Sequence, residues 1–146
     1  MIRTADAVTR QAAADLGIRA VPLGYQPENG TFLKDAAVLA GLGVIGKSNL
    51  LITPEYGPRV RLKALALEAE LALTVGLKSF DPCVSCGAPC WAACPQGAFV
   101  NGAFDRAKCR IQMKIDEATP LDPADPEGYN VSYCRKCELA CPVGKL

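Results

Sequence analysis

Cys83-Val84-Ser85-Cys86-Gly87-Ala88-Pro89-Cys90-Trp91-Ala92-Ala93-Cys94-Pro95-Gln96-Gly97 is the stretch on which the reading of this chain turns. Its cysteines are separated by two, three and three residues and end in a Cys-Pro pair. The last part returns 47 residues later as Cys137-Glu138-Leu139-Ala140-Cys141-Pro142-Val143-Gly144, where Cys, Ala, Cys, Pro and Gly all recur. Cys134 completes a second Cys-x2-Cys pair, and Cys109 stands alone upstream. All eight cysteines of the 146 residues lie between 83 and 141. Cys-x2-Cys turns wrap a chain around one corner of a cubane, so this pattern predicts two [4Fe–4S] clusters and electron transfer.

In two-cluster proteins of this type, the cysteine before proline ligates the other cluster. That rule assigns Cys83, Cys86, Cys90 and Cys141 to the first cluster, and Cys94, Cys109, Cys134 and Cys137 to the second. Two departures matter. Gly87-Ala88-Pro89 puts three residues where two are usual, which calls for a widened loop. Cys109 lies 25 positions before Cys134, so its helix has to pack back onto the second group. Structural zinc on four cysteines is the alternative, although zinc motifs rarely use Cys-x3-Cys-Pro twice. A disulfide framework needs an oxidising compartment.

Half of the residues are hydrophobic, which excludes a disordered chain. A chain of this length buries about 70% of its unfolded surface, so it folds without staples. No apolar stretch approaches the roughly 18 residues of a membrane span, and Met1-Ile2-Arg3-Thr4-Ala5-Asp6 has no apolar signal region. The expectation is a cytoplasmic protein with no membrane partner. Formal charge is +1. Two ligated clusters bring it to about −3. The formal charge of +1 predicts no nucleic-acid partner on electrostatic grounds. The chain has no histidine, which removes every His-based catalytic triad.

The cysteines divide the chain at about residue 80, giving units 1–80 and 81–146. Thr4 to Leu16 reads as an amphipathic helix, with Ala5, Val8, Ala12 and Leu16 near one face and Gly17 ending it. Pro22 to Gly30 is turn-rich. Phe32 to Leu42 reads as a helix, Leu50-Leu51-Ile52-Thr53 as a short strand, and Val60 to Ala69 as a strand entering a sheet. Phe99 to Phe104 reads as a hairpin around Asn101-Gly102. Asp105 to Glu117 reads as the helix carrying Cys109. Thr119 to Gly128, with three prolines, reads as an extended connection.

Gly41-Leu42-Gly43-Val44-Ile45-Gly46-Lys47-Ser48 matches both the phosphate loop and the dinucleotide fingerprint. Each works only with a strand leading in and a helix following, so that the helix N-terminus faces the phosphate. Here the order is reversed, and Glu68 is not clearly placed as the ribose acid. The reading preferred is a glycine-rich turn with close backbone packing, Lys47 being solvated or facing an anion.

The segment Ala40 to Leu62, containing Gly41-Leu42-Gly43-Val44-Ile45-Gly46-Lys47-Ser48 and Thr53-Pro54-Glu55-Tyr56-Gly57-Pro58-Arg59-Val60-Arg61, resembles one in corrinoid-dependent reductive dehalogenases and in epoxyqueuosine reductases. In both families a ferredoxin-like cysteine module follows, as here. In the dehalogenases the first cysteine of the second motif is also displaced upstream, like Cys109. The resemblance covers roughly residues 32–146. It implies an α+β chain: a partial nitroreductase-like α/β segment, then a ferredoxin-like two-[4Fe–4S] module. Members of both families are much longer, and the dehalogenases usually carry an export signal that this chain lacks. The epoxyqueuosine reductases have an aspartate proton donor shortly before the glycine segment. The matching distance falls near Tyr25 and Gln26, and the nearest acid, Glu28, is out of register. The resemblance places no catalytic residue.

Two functions follow. The first is a small ferredoxin-like electron carrier or redox subunit, serving a partner protein or its cofactor. Lys108, Arg110, Arg135 and Lys136 then tune the clusters or dock an acidic partner; otherwise they are solvated charges. The second is a shortened corrinoid- or flavin-dependent reductase with a pocket completed across a dimer, for which Tyr25, Lys47, Tyr56 and Arg59 are the residues to test. Otherwise the tyrosines only pack and Arg59 is a surface ion-pair partner.

Overall fold

A computed structural model describes residues 2–23, 32–70, 72–77, 79–119 and 131–144. The chain is mixed α/β. It begins with helix α1 (Ile2–Leu16), strand β1 (Ala20–Leu23) and helix α2 (Leu33–Leu39), followed by strands β2 (Val44–Ile45), β3 (Leu51–Ile52) and β4 (Ala64–Leu67). The cysteine half has helices α3 (Pro89–Ala92), α4 (Arg106–Glu117) and α5 (Lys136–Leu139), with the hairpin β5 (Phe99–Val100) and β6 (Ala103–Phe104) before α4. The strands form antiparallel pairs β1–β4, β2–β3 and β5–β6. No helix among the described residues is long and apolar enough to cross a membrane.

Helix α1 ends at Gly17, whose φ of +62° lets the chain turn back. Its expected apolar stripe is not buried, since Val8 and Leu16 are 63% and 69% exposed. Sequence reading put Pro22 in a turn. Instead, Ala20–Leu23 is a strand whose Pro22 sits opposite Leu65 of β4. In a two-stranded sheet both strands are edges, and an edge tolerates a missing N–H. The strand expected over residues 60–69 narrows to 64–67 and is half-buried, because β1 is its sole partner among the described residues. An exposed Arg19–Glu68 ion pair at 3.0 Å lies beyond its end. Residues 24–30 of the expected turn and 120–128 of the expected connection lie outside the described residues.

The hairpin turns where Asn101-Gly102 predicts, at φ +49° and +84°. The core is small. Ile52 is 1% exposed, Leu51 3% and Ala98 1%, joined by Cys90 at 7% and Cys141 at 8%. Two buried cysteines in so small a core place the packing centre where β3 meets the cysteine loops.

Candidate metal centre

The glycine-rich segment packs against the first cysteine motif. Helix α2 leads into it and hairpin β2–β3 encloses it, which is the reverse of a phosphate loop. A Cβ on Gly43 would lie 2.2 Å from the Ile52 carbonyl oxygen. One on Gly46 would lie 2.2 Å from Ile52 Cδ1 and 3.2 Å from Cys83 Sγ. Close packing is therefore the reason for these glycines. The approach at Gly46 lets the Lys47 backbone N–H donate to Cys83 Sγ at 3.4 Å. Lys47 is half-buried. Its Nζ donates to the Cys86 carbonyl at 3.0 Å, and its own carbonyl accepts the Trp91 indole N–H at 2.8 Å.

Cys83, Cys86, Cys90 and Cys141 line one cavity of about 290 Å3, open part included, together with Lys47, Ile52 and Pro142. Three of these thiols come from the first motif and one from the second. The extra residue before Cys90 is absorbed by Ala88, which takes a left-handed φ of +53° and hands the chain to Pro89 at the first position of α3. Burial pushes the Cys90 thiol up, and repulsion from Cys141 and Cys83 pushes it further, against the Trp91 backbone N–H.

The other four cysteines also approach one another. Burial pushes Cys137 up to about 11, with Cys134, Cys109 and Cys94 adding repulsion. Burial raises Cys109 as well, followed by Cys94, Cys134 and Asp116. Helix α4 brings Cys109 back. Its N-cap, Asp105, accepts the N–H of Ala107 at 2.9 Å and of Lys108 at 3.1 Å. Asp116, one face along, accepts the Cys134 N–H at 2.8 Å and the Gln112 side chain at 2.8 Å. Gln112 in turn accepts from Gln96 at 3.0 Å. Cys94 Sγ accepts the Ala98 N–H at 3.3 Å.

This donor set suits a cluster. Backbone N–H groups point at sulfur, and thiols that burial and mutual repulsion hold protonated ionise readily once a cationic core is present. Among the described residues no group of three or more His, Cys, Asp or Glu could hold a metal ion.

Sequence reading took Arg59 for a pocket residue of a reductase or else a surface ion-pair partner, and missed its contact with the cysteine loop. Its guanidinium donates to the carbonyls of Cys141 and Val143, each at 2.9 Å. Arg61 reaches the same loop, donating to the buried Glu138 carboxylate at 3.1 Å, which Arg135 also grips. A Cβ on Gly57 would lie 1.9 Å from the Val143 carbonyl oxygen, so the Thr53–Gly57 turn lies directly on this loop. Tyr56 points elsewhere: it is 52% exposed, and its hydroxyl is held by Glu55, which raises its pKa. Tyr25 lies outside the described residues. Among the other cations, Lys108, Arg110 and Lys136 are exposed.

No family model matches the chain. An epoxyqueuosine reductase of Gloeobacter violaceus is 36% identical over 138 residues, which is 89% of this chain and 40% of that protein. The solved epoxyqueuosine reductase of Bacillus subtilis superposes with a TM-score of 0.65 at 28% identity, over 95% of this chain and 38% of that one. The chain resembles the C-terminal part of epoxyqueuosine reductases. It also matches the tetrachloroethene reductive dehalogenase of Dehalobacter restrictus, at 40% identity over 90% of this chain and 25% of that protein. It spans about 40% of the length of the epoxyqueuosine reductase from Gloeobacter violaceus.

One expectation is overturned here. A near-neutral charge predicted no nucleic-acid partner. Yet a solved epoxyqueuosine reductase holding an epoxyqueuosine-modified tRNA stem loop superposes on this chain with a TM-score of 0.65 at 27% identity. Net charge averages over a surface, whereas phosphate contacts need only local cations.

Proposed function

We propose that this chain is the iron–sulfur portion of a reductase of the epoxyqueuosine reductase type. It holds one [4Fe–4S] cluster on Cys83, Cys86, Cys90 and Cys141, and a second on Cys94, Cys109, Cys134 and Cys137. The observation that carries this reading is the cavity ringed by three thiols of one motif and one of the other, the interleaving expected of two-cluster modules. In this reading residues 1–80 are nitroreductase-like and residues 81–146 ferredoxin-like. The electron-carrier reading becomes the part's role within the reductase: such clusters pass electrons singly, and reduction of an epoxide consumes two.

The likeness to an enzyme solved with a modified tRNA stem loop supports tRNA as the substrate class. Among the described residues, those nominated for a corrinoid are placed elsewhere. Lys47 lines the cysteine cavity, Arg59 holds the Cys141 loop, and Tyr56 is 52% exposed. No residue of this chain is assigned to a corrinoid, and no step runs through one.

The test is iron and acid-labile sulfide on protein purified without oxygen, with about eight of each per chain expected. Zinc without sulfide overturns the reading. A gel-shift assay with an epoxyqueuosine-containing stem loop tests the substrate class. No binding in the cluster-loaded state counts against tRNA.

A further inference from the structure

Two cations of the segment from Gly46 to Arg61 end on neutral oxygens. Lys47 Nζ donates to the Cys86 carbonyl at 3.0 Å, and Arg59 donates to the carbonyls of Cys141 and Val143 at 2.9 Å. Cys86 and Cys141 both line the first cavity. Neither cation has a carboxylate partner among the described residues, although Arg61, two positions on, is paired with Glu138. Both are half-buried, and Arg59 Nε is buried with no hydrogen-bond partner. A part-desolvated cation held only by carbonyl dipoles is poorly screened. Such a charge is costly unless something negative lies close by. Lys47 and Arg59 hold carbonyls of Cys86 and Cys141, whose thiols line the first cavity with those of Cys83 and Cys90.

We propose that Lys47 and Arg59 form a pinned pair of charges that compensates an anionic occupant of the Cys83–Cys86–Cys90–Cys141 cavity and raises its reduction potential. This rests on the reading that the occupant is an iron–sulfur cluster. Four thiolates on a core of about 2+ carry a net charge of about −2, which becomes about −3 on uptake of one electron from a one-electron donor. A fixed cation favours the more negative state, so uptake becomes easier. The second cysteine group has a different cation, Lys34, whose Nζ donates to the Asn49 carbonyl and which lines a cavity with Cys109. Lys108, Arg110 and Lys136 beside it are exposed, Arg135 is committed to Glu138, and the Asp116 carboxylate accepts the Cys134 N–H. The pair therefore acts on one site of two. Lys47 and Arg59 are positioning residues, since each touches the backbone of a cysteine that lines the cavity.

The experiment is a redox titration of the anaerobically purified chain, with reduced viologens as one-electron donors and the EPR signal of each site followed separately. Cys94→Ser identifies the signal of the second site. Lys47→Met and Arg59→Gln are expected to move the first signal's midpoint to more negative potential and leave the second in place. Arg59→Lys, which keeps the charge, is expected to stay near the parent. An unchanged midpoint at full iron loading overturns the proposal. Equal shifts in Arg59→Lys and Arg59→Gln overturn it too, because the effect is then one of geometry. If Arg59→Gln fails to load iron, Lys47→Met decides the matter, since it removes a single side-chain hydrogen bond. A parent chain without iron and sulfide overturns the cluster reading itself and, with it, this inference.

Discussion

The two Cys-Pro turns share a sequence pattern and a local conformation, yet they are held very differently. Each follows a four-residue helix, α3 or α5, and each reaches a left-handed glycine, Gly97 at φ +56° and Gly144 at φ +87°. A Cβ on Gly97 would meet nothing within 4 Å. One on Gly144 would lie 2.3 Å from the Tyr56 carbonyl carbon and 2.4 Å from the Gly57 nitrogen. The second turn is wedged beneath the Thr53–Gly57 turn and gripped by Arg59. The first is tied by lighter bonds, Trp91 to Lys47 and Ala98 to Cys94. The repeat builds two equivalent turns, and the segment from Gly46 to Arg61 makes them unequal. It draws Cys141 into the cavity of the other motif.

The largest expected effect breaks that sharing. Cys141→Ser should cut iron from about eight to about four per chain and remove one EPR signal, and Cys137→Ser should remove the other. If both variants remove the same signal, the interleaved pairing is wrong.

Next comes the glycine contrast. Gly97→Ala adds left-handed strain alone, about 1 kcal/mol. Gly144→Ala adds a backbone clash to that strain, for about 3 kcal/mol or more. Thermal loss of cluster absorbance compares the two, and equal costs dissolve the asymmetry between the turns.

Asp105→Ala removes the cap of α4, which carries Cys109, at about 1 kcal/mol. Iron release to a chelator should quicken at the second site and not at the first. Release at equal rates from both means that α4 serves both sites.

The smallest effect is on pH dependence. Burial pushes the Glu138 carboxyl up, but hydrogen bonds from Arg135 and Arg61 outweigh it and hold the group below its ordinary value. A folded pKa below the unfolded one stabilises above the unfolded value, and that stability is lost as pH falls through the folded value. The second turn should therefore loosen in acid. Glu138→Gln should flatten the thermal midpoint between about pH 3 and pH 6 relative to the parent. An unchanged acid slope shows that the Arg61–Glu138 link does not hold the turn.

The local parts of this molecule are written in short patterns. Asp105 before an apolar-periodic run gives α4, and Asn101-Gly102 gives the hairpin, because the chemistry of caps and turns acts within a few residues. The cysteine spacings mark two like turns, because each turn is a local object. Pro22 was misread because proline signals a turn unless an edge strand accepts it, and β1 finds its partner β4 more than 40 residues away. The apolar stripe of α1 was legible, but what covers it is not a property of the stripe.

The sequence by itself determined the two cysteine turns, the helix that carries Cys109 and the reason Gly41 to Ser48 is not a phosphate loop. The tertiary structure alone decided that Gly46, Lys47, Gly57 and Arg59 close over the cysteine loops. Such contacts join residues up to 84 positions apart, as from Arg59 to Val143. No spacing rule encodes them, because a guanidinium that donates to backbone carbonyls asks nothing of its partners' side chains.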